Sequence, residues 1–564
     1  MATLKHECPF CHKPAKLKSE FPFGKKIMRS YLCGHTEFTS VTAPMEFTPT
    51  QADIALINEI DTNELARFDD DGGHIPWIKP EIDPSFWALA PTEPFFCNEC
   101  QEIHAVHHAY AYQREGVKFA EHANFSALIA DAMGLGKTIQ GLLLIRRNVE
   151  ALTPTLFAVK GSTQLQWCHQ LKYWLDDTPL GVMPIMNRES IIRGFKYYVI
   201  SIDFLARKGV LDKLIALGIK LIIVDECQNF KNLSSQRTKA LIKYIEECKI
   251  EYKVFLSGTP IKNRASEYYP VLNLLDPVRF YSQASFCKNW LIPNEKGIYT
   301  RIDPYMLDKF HELTSQYIIR REKRDVLTSL PKLMPRDYQY MEIEDPLLKD
   351  IYNNELDLFQ NFQRTAGKIN STVLLGWLAK MRAITGQAKV PWAIEYTEEF
   401  MNDTEDSLLL GIHHVSVRDT LYLAMTQKGY SVVKFSGEDN IYAKERAKEG
   451  FISKRFRLMI MNMLAGGVGV DGLQKVCSNA VVLERQWNAA DEEQFESRLD
   501  RDGQKIPCTF VYPIAKGTVD EWFHDGVAVK RQICAETLGD SFEIESDEGF
   551  LRDLVDKTLS NPLR

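Results

Sequence analysis

Two blocks of short apolar runs, each run set off from the next by a longer amphipathic stretch, constrain this chain more than any other feature. In the first block "ALIAD", "TLFAVK", "YYVISI", "LIIVDE" and "KVFLSGTP" follow one another, and in the second "LLLGIHHV", "SVVKFSG", "RLMIMNM", "NAVVLER" and "CTFVYPI". Unbroken apolar runs rich in β-branched residues read as strands buried on both faces, and their alternation with helical patterns calls for parallel sheets covered by helices. Between the blocks, residues 264–405 lose the strand signal, and "LLKDIYNNELDLFQNFQRTAGKI" and "STVLLGWLAKMRAIT" read as helices. The expected architecture is two α/β units joined through a helical region.

A chain of 564 residues with 45% hydrophobic and 25% charged content can bury more than one core, so several domains are expected. No apolar run approaches the roughly 18 residues that a membrane span needs. The N-terminus "MATLKHECPF" lacks the apolar centre of a secretory signal, and a cytoplasmic protein with no membrane partner is expected. The formal net charge of −7 gives no global basic field, so a nucleic-acid partner would have to be gripped by a local positive stripe.

The chemistry enters with "ADAMGLGKTI" at residues 130–139. The phosphate-binding loop pattern G-x-x-x-x-G-K-[ST] places glycine where this chain has Asp131. The remainder fits, since the stretch follows the run "SALIA" and precedes the helical "IQGLLLIRR". Gly134 and Gly136 would let backbone N–H groups approach phosphate, Lys137 would carry charge to the outer phosphates, and the Thr138 hydroxyl would reach Mg²⁺. A second signal, "LIIVDECQNF", ends a buried strand in Asp225 and Glu226 at the sheet edge where ligands bind in open α/β sheets. Asp225 would hold Mg²⁺ and Glu226 would orient or deprotonate an attacking water.

These segments, with those that follow, make the chain resemble the Swi/Snf-type DNA translocases of helicase superfamily two from about residue 107 to 530. That family carries an acid at the first glycine of the loop, D-[DE]-M-G-L-G-K-T, so Asp131 looks like a family trait while Ala132 replaces the second acid. "YAYQREGVKF" resembles the upstream glutamine motif, which implies that Gln113 reads the adenine edge. "LFAVKGSTQLQWCHQLKYWL" is similar to the segment that touches one DNA strand, with Val159 and Lys160 in place of the usual cysteine and proline. "IIVDECQNFKNLSSQRTKAL" is similar to D-E-x-H-x-x-K-N-x-x-S, with Gln228 replacing histidine. "LSGTPIKN" resembles the third motif, in which Ser257 and Thr259 couple nucleotide to DNA, and "YIIRREKRDVLTSLPKL" resembles the segment closing the first lobe.

In the second block the pattern Q-x-x-x-R-x-x-R-x-G-Q is met by Gln494, Arg498, Arg501, Gly503 and Gln504. The resemblance implies two RecA-like parallel-sheet lobes with helical insertions, an ATP site lined by Gln113, Met133, Gly134, Leu135, Gly136, Lys137, Thr138 and Gln494, and catalysis by Lys137, Asp225, Glu226, Arg498 and Arg501. It further implies ATP-driven movement along double-stranded DNA, with Lys160, Lys231 and Asn232 as candidate backbone contacts. A strand-separating helicase of the same superfamily, and a DNA-binding scaffold with a weak motor, are the alternatives. A bacterial cell or phage-infected host is the expected setting.

Five of the twelve cysteines lie in the first hundred residues. "CPFC" and "CNEC" can each offer two thiolates to tetrahedral Zn²⁺. Cys8 and Cys11 with Cys33 and His35 close one site over a short loop, leaving Cys97 and Cys100 with His104 or His107; alternatively, the two pairs share one metal. The expected organisation is therefore a zinc-binding module and linker over 1–104, a first lobe over 105–335, helical insertion and second lobe over 336–535, and a tail over 536–564. The module would serve DNA, a protein partner or the first lobe.

Overall fold

The computed structural model describes residues 109–175, 181–294, 297–366, 371–463 and 470–540, with the backbone of short strands between His6 and His104. Three of those strands, Leu17–Phe23, Lys26–Tyr31 and Thr36–Ser40, form an antiparallel sheet. Cys8, Cys11, Cys33, His35, Cys97 and Cys100, and with them the zinc expectation, lie outside the described residues.

Helix α1 (Ala111–His122) leads into strand β1 (Ser126–Ile129), which is followed by helix α2 (Lys137–Arg147). Strand β2 (Thr155–Val159), helix α3 (Gln164–Leu175) and strands β3 (Val182–Ile185), β4 (Tyr197–Ser201) and β5 (Leu221–Asp225) come next. Helix α4 (Gln236–Glu247), strand β6 (Tyr252–Leu256) and the two-residue strand β7 (Ile318–Ile319) complete a seven-stranded sheet of order β3-β4-β2-β5-β6-β1-β7. All its pairings are parallel. Along β5, Ile222 and Val224 enter one core while Leu221 and Ile223 enter the core on the opposite face. That two-sided burial is why the strands read as unbroken apolar runs.

Strand β8 (Asp337–Met341) opens the second sheet, and helices α5 (Pro346–Ala366) and α6 (Ser371–Ala388) pack beside it, with Phe359 stacked on Trp377 at 4.2 Å. Strand β9 (Ser407–Ile412), helix α7 (Val415–Gln427), strands β10 (Val432–Phe435), β11 (Leu458–Asn462) and β12 (Cys477–Val482), helix α8 (Ala489–Glu496) and strand β13 (Thr509–Ala515) follow. The sheet order is β8-β13-β12-β9-β11-β10, again wholly parallel. Met459 and Met461 face one core, Leu458 and Ile460 the other.

Helix α9 (Val519–Leu538) begins on the second lobe, capped by the Thr518 hydroxyl, and burying Val519, Trp522 and Phe523 against α5 and α6. It ends on the first lobe at Gly539, whose φ of 76° is the left-handed conformation that closes many helices. There Cys534 and Leu538 pack on the first core, and Arg301 pairs with Glu536 at 3.1 Å.

The span 264–405 holds more strand than expected: an antiparallel hairpin of Leu291–Pro293 with Tyr299–Ile302, and the sheet-edge strands β7 and β8. β7 is two residues long and β8, "DYQYM", carries polar residues that an edge position tolerates, so neither gives an apolar run. Among the described residues no helix is long and apolar enough to cross a membrane.

Candidate active site

The loop after β1 turns on two left-handed glycines, Gly134 at φ 90° and Gly136 at φ 69°, and Gly136 starts α2 so that Lys137 and Thr138 occupy its first turn. Positive φ favours glycine at both positions, and their neighbours leave little room for a side chain. A Cβ on Gly136 would come within 2.4 Å of Gln113 Nε2, and one on Gly134 within 3.3 Å of Arg501 Cβ. The second contact matters most, because Arg501 belongs to the other lobe.

Lys137 curls back into the loop and donates to the carbonyls of Asp131 at 2.8 Å and Ala132 at 3.2 Å. Burial lowers its pKa, opposed by the charges of Glu226, Asp131 and Asp225. Gln113, fully buried, accepts from Tyr110 N at 3.0 Å and donates to Leu135 O at 3.2 Å, so its amide braces the loop from the side of α1.

Asp131, where the strict pattern has glycine, is fully buried and holds the base of the loop. Arg321 grips both its oxygens, Nε to Oδ1 at 2.9 Å and Nη2 to Oδ2 at 2.6 Å, and Gln140 donates to Oδ2 at 2.8 Å. Arg321 also donates to Tyr112 O and lies over the Tyr112 ring. The acid is thus the hub of a buried network joining loop, α1, α2 and the segment after β7.

Opposite the loop, Asp225 ends β5 and Glu226 adopts a left-handed conformation, φ 51°. Asp225 Oδ2 accepts from Trp167 Nε1 at 2.8 Å, and Oδ1 accepts from Glu226 N at 3.0 Å. Burial, and then the Glu226 charge, raise the Asp225 pKa to about 6. Two crowded, desolvated carboxylates are short of positive charge, and with Thr138 at the start of α2 they suit Mg²⁺, which is commonly held by one or two carboxylates together with substrate phosphates and water. Gln228, in the place of the family's histidine, donates to Glu226 Oε2 at 2.5 Å and accepts from Ser257 Oγ at 2.6 Å. Ser257 Oγ in turn accepts from Thr259 N at 3.0 Å, giving a continuous line from the acid pair to the loop after β6. That loop also backs Lys137, whose Nζ would lie 3.2 Å from a Cβ on Gly258.

The second lobe supplies the remaining wall. Gln494 Nε2 reaches Glu226 Oε1 at 3.4 Å. Arg501 pairs with the half-exposed Asp471, whose pKa is lowered by the charges of Arg501 and Arg498. Burial and the neighbouring Arg501 lower Arg498 to about 10. Ties across the cleft include Lys262 to Asp491 at 2.9 Å, Lys323 to Asp500 at 3.0 Å, Arg324 to Asp500 at 2.7 Å and Tyr110 OH to Asp502 at 2.9 Å.

Of the expected ATP and catalytic residues, Gly134, Lys137, Asp225, Glu226, Gln494, Arg498 and Arg501 lie near one another between the two lobes, whereas Leu135 is buried with Tyr112, Leu327 and Leu330. The candidate DNA contacts divide. Lys160 faces the cleft, its pKa lowered by burial against the pull of Glu226. Lys231 is paired with Glu267 at 3.1 Å, and Asn232 Oδ1 accepts from Ser234 N at 2.9 Å. Trp167, Arg321 and Asp500 escaped the sequence reading of the site; only the acids flanking Arg501 in "LDRDGQ", set against the basic "RREKR", hinted at the cross-cleft pairs. Among the described residues no cluster of three or more His, Cys, Asp and Glu side chains could hold a metal ion.

The family model described as the SNF2-related domain matches residues 112–385. Over that span, just under half of its length, the chain is similar to this domain. The domain match covers the loop, the acid pair and the Ser257–Thr259 segment, and similarity to whole proteins runs further. The human "DNA annealing helicase and endonuclease ZRANB3" is 25% identical over 455 residues, 78% of this chain and 41% of that protein. An "Uncharacterized ATP-dependent helicase" of Mycoplasma pneumoniae is 25% identical over 468 residues, 78% of this chain and 43% of that one. The Schizosaccharomyces pombe "DNA repair protein rhp54" is 23% identical over 520 residues, 77% of this chain and 59% of that one. The chain thus spans about two fifths to three fifths of the length of these relatives. A solved structure, "Sulfolobus solfataricus SWI2/SNF2 ATPase core in complex with dsDNA", aligns with a TM-score of 0.38 at 21% identity over 77% of this chain and 94% of that one.

Proposed function

We propose that this chain is an ATP-dependent motor that moves along double-stranded DNA or remodels protein–DNA complexes, hydrolysing ATP between its two lobes. The observation that carries the reading is the second lobe laid against the phosphate loop and the acid pair: Arg501 sits beside Gly134, and Arg498 lies within the electrostatic reach of Glu226. Phosphoryl transfer spreads charge over the transferred group, and a loop with one lysine neutralises only one side of it. Arg498 and Arg501 meet the other side when the lobes are closed, so turnover is tied to lobe motion.

Lys137 leaves its two carbonyls for the outer phosphates, Glu226 takes the proton of the attacking water or orients it, and Gln228 holds Glu226 in place. Mg²⁺, held by Asp225 and the Thr138 hydroxyl, would neutralise the phosphate oxygens. Gln113 braces the loop beside the adenine. The DNA assignment is supported by the printed functions of two relatives, a DNA annealing helicase and a DNA repair protein; its duplex character is supported by the motif resemblance. The N-terminal residues Cys8, Cys11, Cys33, His35, Cys97 and Cys100 would bind Zn²⁺ in a module serving DNA or a protein partner, and a bacterial cytoplasm or phage-infected cell is the proposed setting.

Steady-state ATP hydrolysis tests the reading. Turnover should rise with duplex DNA above its level with single-stranded DNA, RNA or no polymer, and Lys137→Ala should lower it by about 100-fold or more. Equal turnover with every polymer would remove the duplex assignment, and stimulation by RNA alone would favour a helicase. Zinc content of the purified protein below one ion per chain would remove the module.

A further inference from the structure

We propose that Trp167 is a positioning residue for the metal-holding acid: its indole N–H fixes the Asp225 carboxylate so that it can hold Mg²⁺ with the bound nucleotide. The inference rests on the ATPase reading above and adds a residue to it. Trp167 lies on α3, is 2% exposed, and packs against Phe157 of β2 at 5.2 Å between ring centroids. Its N–H donates to Asp225 Oδ2 at 2.8 Å, while Glu226 N donates to Oδ1 at 3.0 Å. The two donors come from different elements and take different oxygens, so together they set the rotation of the carboxyl plane. Each oxygen keeps a lone pair for a cation or its water.

A buried indole N–H needs an acceptor, and a core role alone would be satisfied by any backbone carbonyl. Here the acceptor is the acid at the sheet edge opposite Lys137. Asp225 has the Glu226 carboxylate beside it, and repulsion between the two would turn Asp225 away from any shared cation; the indole opposes that turn. Groups that orient a metal ligand in this way commonly alter metal affinity by about 10- to 100-fold when removed.

The test is a titration of Mn²⁺ into the full chain with ADP, followed by electron paramagnetic resonance, for the wild-type protein, Trp167→Phe and Phe157→Leu. Trp167→Phe keeps the ring and loses only the donor, so Mn²⁺ should bind about 10-fold more weakly while metal-free ADP binds unchanged. Phe157→Leu disturbs the packing without touching the N–H, and should lower the melting temperature but leave Mn²⁺ affinity in place. Equal Mn²⁺ affinity in Trp167→Phe and wild type, or an equal loss in both variants, overturns the proposal. Should Trp167→Phe melt too low to titrate, the indole ¹⁵N–H resonance of Trp167 in the wild-type chain decides. A shift on adding Mg²⁺ with ADP supports the link, and constancy defeats it. Failure of the wild-type protein to bind Mn²⁺ with ADP would instead count against the ATPase reading.

Discussion

Asp131 shows how far a single residue of this site could be read before its partners were known. The sequence marks it as a departure from the glycine of the strict loop pattern, and the family resemblance makes it ordinary, but neither reveals what the carboxylate does. Its partner Arg321 lies 190 positions away, beyond the reach of any local pattern. Glycine at this position would leave the Arg321 guanidinium buried without its acid, and losing one partner of a buried pair costs about 3–5 kcal/mol. Asp131→Gly, although it restores the strict pattern, should therefore lower the melting transition of the first lobe by about 10 °C. An unchanged transition in differential scanning calorimetry would show that the network contributes nothing to stability. Lys137, Asp225 and Glu226 could be singled out for the opposite reason: phosphate chemistry restricts residue type and spacing within a few positions, so the signal is local.

Among elements, the interior strands of both sheets could be read, since β1, β2, β4 to β6, β9 and β11 to β13 all coincide with quoted apolar runs. Of the edge strands only β10 was read, from "SVVKFSG"; the others escaped, because β3 contains Pro184, β7 is two residues long and β8 is half polar. Helix α9 was legible as neither a helix nor a brace, and what it does depends on the surfaces it crosses. At its middle, Lys530 donates to Trp487 O at 2.6 Å and lies over the Trp487 ring, close to the charges of Lys231, Arg264 and Glu267 from the first lobe. Burial first, then the like charges of Lys231 and Arg264, lower its pKa to about 7, with Glu267 opposing them. Between pH 7 and the ordinary lysine range the unfolded chain therefore binds more protons at this position than the folded one. Stability should rise with pH across that window, and below pH 7 the charged amine is carried at a cost. Lys530→Met should flatten the rise in denaturant-melt stability between pH 7 and 9. A slope unchanged from wild type would mean that Lys530 titrates normally.

At the scale of the whole molecule, the two lobes are held shut by acids of the second lobe against cations and a phenol of the first. Asp500 is the strongest point, 9% exposed and gripped by both Lys323 and Arg324, whose charges hold its pKa down although burial acts to raise it. Asp500 and Asp502 flank Arg501, so the residues that close the cleft also set the position of the arginine over Gly134. Pairs this sheltered are weakly screened by salt, unlike exposed ion pairs, and their loss leaves two cations facing a cleft already rich in arginine. Asp500→Ala combined with Asp502→Ala should therefore open the lobes, raising the radius of gyration in small-angle scattering without nucleotide, and should slow ATP turnover about 10-fold or more because Arg498 and Arg501 no longer meet the loop. Equilibrium binding of ATP to the first lobe should change little, since Lys137 and its loop do not depend on Asp500. A double variant with the wild-type scattering profile and reduced turnover would place the effect on local chemistry rather than closure, whereas an opened variant with undiminished turnover would show that the arginines close on ATP without the clasp.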